Sequence, residues 1–65
     1  MSGATAFTNL MRKITPAQTA GKLTVVEFQQ AVEGVGLKMP RDLMNRPDLI
    51  PAVEATIDAI LASQP

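Results

Sequence analysis

There is no cysteine, histidine, tryptophan or tyrosine in this chain, and its only aromatics are Phe7 and Phe28. Each absence removes a class of function or support. Without cysteine there is no disulfide to staple a small fold, and cysteine usage says nothing about compartment. Without histidine or cysteine the commonest zinc ligands and most nucleophile–base pairings are gone. With two phenylalanines the core must be assembled from Val, Ile, Leu, Met and Ala. Net charge is zero, which argues against nonspecific attraction to nucleic acid or an anionic membrane. No apolar run reaches the length that spans a bilayer. The opening MSGATAF has no basic region followed by an apolar segment, so no signal peptide is expected.

What is present is apolar and helical in period. The 65 residues are 46% hydrophobic, enough for a single small domain near the lower size limit for an unaided core. Strand-type alternation and internal repeats are missing. The expected class is all-α, a small three-helix domain with one or two additional short helical turns.

The best-specified element is LTVVEFQQAVEGVGL, residues 23–37. Thr24 and Glu27 have the spacing of a capping box, flanked by Leu23 and Phe28 as a hydrophobic staple. Gly36 suits a left-handed C′ position, with Leu37 returning to Val32 in a Schellman ending. Val25, Phe28, Ala31, Val32 and Val35 form the apolar stripe. Val25 and Val26 are poor helix formers, so packing is expected to hold the first turn.

Before it, Phe7, Leu10, Met11 and Ile14 predict a helix over about residues 5–14, stopped by Thr15-Pro16. Thr15 to Gly21 then forms either a single helical turn or an open loop. After it, Pro40 opens a short helix closed near Asn45. Asp48 is expected to cap a last helix with Pro51 in its first turn, running to about Ala62 on the stripe Val53, Ile57, Ile60 and Leu61. Residues 1–4 and 63–65 are expected to fray.

From Phe7 to about Pro40 the chain resembles a degenerate EF-hand. The first stripe matches the entering helix. Gly21, Leu23 and Glu27 match the sixth, eighth and twelfth loop places, and Phe28, Ala31, Val32 and Val35 match the exiting helix. Loop places one, three and five are Pro16, Gln18 and Ala20, where the family places calcium-ligating oxygens, and the loop is one residue longer than the usual twelve. The resemblance therefore implies a helix–loop–helix that binds no calcium.

Charge is segregated. Arg12, Lys13 and Lys22 precede Val26 with no acid among them, while Asp48, Glu54 and Asp58 follow Pro47 with no base. Either the surface is simply polarised and solvated, or the first and last helices lie close, or copies meet head to tail. Glu54 and Asp58 sit one turn apart on a polar face, where carboxylates are normally solvated. No catalytic, cofactor or metal site is predicted. Gly34-Val35-Gly36 ends a helix and is not a phosphate loop.

Three stripes can close a small core, and Met39, Leu43, Met44, Leu49 and Ile50 come on top of them. Leu43 or Ile50 can lid the core; Met39, Met44 and Leu49 suit an adaptable contact surface. The functional expectation is a small non-enzymatic protein that binds another protein or copies of itself, as an accessory, adaptor or inhibitor protein of phage or bacterial type, cytoplasmic or virion-associated. One alternative is a structural subunit of a larger assembly such as a virion. Another is a helix-turn-helix DNA-binding regulator, for which residues 24–35 offer only Gln29 and Gln30 toward bases, beside Glu27 and Glu33.

Overall fold

The structure is a computed structural model that describes residues 2–64; Met1 and Pro65, both expected to fray, lie outside the described residues. It is all-α. It has three helices, α1 (Gly3–Thr19), α2 (Val25–Gly34) and α3 (Ile50–Ala62), with 3-10 turns at Pro40–Met44 and Pro47–Leu49 between the last two. No strand occurs among the described residues.

The first helix is longer than its sequence signals predict at both ends. It begins at Gly3, where the Ser2 hydroxyl accepts the Thr5 amide at 3.1 Å as an N-cap. It also runs through Pro16. Proline there lacks the amide that would donate to the Arg12 carbonyl. Two features outweigh that loss. The stripe of Leu10 and Ile14 continues to Ala17, which packs on the core, while Pro16 itself stays exposed. The helix then ends in a Schellman motif: Gly21 takes φ +74°, Lys22 N–H donates to the Ala17 carbonyl at 2.9 Å, and Gly21 N–H to that of Gln18 at 3.0 Å. Gly21 is at C′ as expected, but it closes α1 and not a separate turn.

Helix α2 has the expected ends. Glu27 N–H donates to Thr24 Oγ1 at 3.0 Å, and Thr24 N–H donates to Glu27 Oε1 at 2.8 Å. At the other end Gly36 adopts φ +88° and Leu37 N–H reaches the Val32 carbonyl at 3.2 Å. Its stripe is shorter than predicted. Phe28, Ala31 and Val32 are buried and Val35 packs beside them, but Val25 is 73% exposed and Val26 62%. Val25 stands in the first turn outside the core, whereas Leu23, just before the cap, is buried. Hence the capping box, and not valine packing, holds the first turn.

Between α2 and α3 the chain folds back. The Pro40–Met44 turn packs against both α1 and α2, and the Pro47–Leu49 turn leads directly into α3, which packs on α1 and α2. Asn45 N–H donates to the Asp42 carbonyl at 3.1 Å and closes the first of these turns near the predicted place. Asp48 does not cap α3, which has no side-chain N-cap. Its carboxylate instead accepts the Arg46 guanidinium at 3.1 and 3.0 Å. Pro51 sits in the first turn of α3 as expected.

The core holds Leu10, Ile14, Leu23, Phe28, Ala31, Val32, Leu43, Ile50, Val53 and Ile57, with no polar or charged side chain buried among the described residues. Each large aliphatic side chain removed from water stabilises by roughly 1.5–3 kcal/mol before entropy. At the C-terminal end, Ser63 donates to the Ile60 carbonyl at 2.8 Å and Gln64 donates to the Lys22 carbonyl. That second bond ties the end of α3 to the turn after α1.

Candidate interaction surface

The apolar surplus between Leu37 and Ile50 divides in two. Leu43 is fully buried, and Ile50 is buried but for a small part of its side chain that lines a groove between α1 and α3. Leu37 and Leu49 pack on the core from its edge. Met39 and Met44 point outward, 46% and 42% exposed. Backbone geometry produces this split. A 3-10 turn advances about three residues per turn, so residues flanking a buried Leu43 turn away from the core. Pro40 opens the turn, and Asp42 Oδ2 accepts Met39 N–H at 3.1 Å, fixing the entry.

The far end of the turn is fixed by α1. A Cβ on Gly3 would lie 1.8 Å from the Met44 carbonyl oxygen, so only glycine permits that approach. Next along α1, an open groove of about 380 Å³ runs between Ala6, Asn9 and Leu10 on one wall and Pro47, Ile50, Pro51 and Glu54 on the other. The sequence signals did not mark this groove, because Ala6, Asn9, Pro47 and Pro51 belong to no single periodic pattern. Val25 and Val26 were also missed as surface residues. Their signal was present: neighbouring residues on a helix are about 100° apart, so two consecutive valines cannot both face one core.

Charge around the groove is largely compensated. Lys13 of α1 donates to Glu54 of α3 at 3.4 Å and pairs with Asp58 one turn further on. The first and last helices therefore do lie close, and the segregated charges meet between them. The Asp58 carboxylate, hydrogen-bonded to the Lys13 ammonium, and then Glu54 hold Lys13 above its ordinary pKa. The Arg46 guanidinium likewise holds Asp48 below the usual carboxylate value.

No group of three or more acidic side chains that could hold a metal occurs among the described residues. Pro16 and Gln18, at the first and third places of the EF-hand-like loop, lie within α1. The Glu27 carboxylate at its twelfth place accepts the Thr24 amide. Gln29, one of two side chains a recognition helix would offer, donates to the Lys38 carbonyl at 2.6 Å. Gln30 is exposed. No helix among the described residues is long and apolar enough to cross a membrane. Comparison with models of protein families, with curated proteins and with solved structures finds no match.

Proposed function

We propose that this chain is a non-enzymatic binding protein whose contact surface is centred on the Pro40–Met44 turn. The observation that carries the proposal is the division within that turn. Leu43 anchors it in the core while Met39 and Met44 face solvent. Apolar side chains held outward on an anchored segment cost solubility and add nothing to the core. Methionine, unbranched and polarizable, adapts to an apolar partner surface. The groove between α1 and α3 extends the surface past Pro47. The occupant is an accessory or target protein. Copies of the chain are the second candidate, because zero net charge leaves no long-range repulsion between them.

The test is the double variant Met39→Glu with Met44→Glu, whose exposed positions let the fold stand. Sedimentation equilibrium and pull-down from the native source should show that the variant keeps its circular dichroism and loses the association that wild type displays. If the folded variant keeps every association of wild type, the surface lies elsewhere.

A further inference from the structure

We infer that Met39 and Met44 are two oxidation sites, one at each end of the Pro40–Met44 turn, at which a peroxide converts exposed apolar side chains to polar ones while the fold persists. With no cysteine in the sequence, thioethers are the only oxidisable sulfur, and there are four of them. Met1 lies outside the described residues. Met11 is partly buried against the core, whereas Met39 and Met44 are 46% and 42% exposed. Oxidation requires the oxidant to reach the sulfur lone pair, so exposure ranks the sites.

The step is balanced with hydrogen peroxide alone. A sulfur lone pair attacks one peroxide oxygen, the S–O bond forms and the O–O bond breaks. The departing hydroxide takes the proton of the transferred oxygen and leaves as water. Sulfur loses two electrons and the peroxide gains them. The product is a sulfoxide, a polar acceptor where an apolar thioether stood.

The turn is built to survive this change. Its anchors are the buried Leu43 side chain, the Asp42 carboxylate on the Met39 amide, the Asn45 amide on the Asp42 carbonyl, and the Met44 backbone against Gly3. Both methionines are more than a third exposed, and a sulfoxide at either need not displace these anchors. Loss of binding on oxidation rests on the proposed contact surface; the order of oxidation and the survival of the fold do not.

The experiment treats the full chain with hydrogen peroxide, maps oxygen uptake by peptide mass spectrometry over time, and follows helicity and thermal melting. Met39 and Met44 should each gain one oxygen at least about threefold faster than Met11, with helicity retained and reversal by a methionine sulfoxide reductase. Equal rates at Met11, or unfolding that tracks oxidation of the turn, would overturn the inference. The variant Met39→Leu with Met44→Leu should fold and take up no oxygen at the turn, so unfolding of wild type under peroxide cannot be ascribed to Met11 unless this variant unfolds as well. If oxidation follows the expected order and leaves every association intact, the contact surface is wrong while the oxidation sites stand.

Discussion

The Thr24 hydroxyl accepts the Glu27 amide and the Glu27 carboxylate accepts the Thr24 amide, while Val25 and Val26 between them stand in solvent. Thr24→Ala should therefore cost about 0.5–2 kcal/mol. Val26→Ala should cost nothing and raise stability by up to about 0.6 kcal/mol, because an exposed β-branched residue gives way to the best helix former. Urea midpoints of the two variants should move in opposite directions. Gly3 and Gly34 make a second contrast. A methyl group on Gly3 meets the Met44 carbonyl oxygen, whereas one on Gly34 meets open space. Gly3→Ala should destabilise by about 1–3 kcal/mol as α1 is pushed off the turn, and Gly34→Ala should stabilise by up to about 1 kcal/mol. Thermal melting of both checks this. The two caps of α2 could be read from the sequence because each is a local pattern within about six residues. Gly3 could not, since nothing near it in sequence requires glycine; the requirement comes from Met44, across the fold.

At the scale of elements, two signals competed at Pro16. Thr15-Pro16 is a local stop, but the stripe through Leu10, Ile14 and Ala17 and the Schellman end at Gly21 favour one continuous helix. Tertiary packing prevailed over the local signal, which no local rule predicts. Pro16→Ala separates the alternatives. Within a continuous helix it restores an amide to face the Arg12 carbonyl and should raise stability by about 1–3 kcal/mol, the unfolded-chain entropy of alanine offsetting part of the gain. At the first position of a separate turn it would change little. A denaturant midpoint decides. The Pro40–Met44 turn could be placed by its opening proline, but five residues carry too short a pattern to show which of them is buried. Leu43 proves to be its inward residue and contributes to the one core. Leu43→Ala should cost about 2–5 kcal/mol, read as a lowered melting temperature. It should also loosen the outward methionines, seen as faster amide exchange at Met44 and Asn45.

Across the whole molecule, the charge segregation along the sequence becomes a bridge between its ends. Lys13 on α1 lies between Glu54 and Asp58 on α3. The segregation could be read from the sequence; the bridge could not, since closeness of the helices was only one of the meanings the pattern allowed. These pairs are exposed, so each is a small and salt-screened contribution, but their signs fix a pH profile. The folded pKa of Asp48 lies below its ordinary 3.8, so its stabilisation is complete above that value and fades as pH falls through the lower, folded one. The folded pKa of Lys13 lies above its ordinary 10.5, so its stabilisation is complete below 10.5 and is lost as pH rises through the higher value. With no histidine or cysteine in the chain, no side-chain type present ordinarily titrates across neutral pH. Melting temperature at low salt should accordingly form a plateau across neutral pH, falling at both extremes. Lys13→Gln should flatten the alkaline fall and leave the acid limb from Asp48 in place. Arg46→Gln should flatten the acid limb instead. A wild-type profile that rises or falls steadily through neutral pH, or a Lys13→Gln profile that keeps the alkaline fall unchanged, would show that the bridge between α1 and α3 does not form in solution.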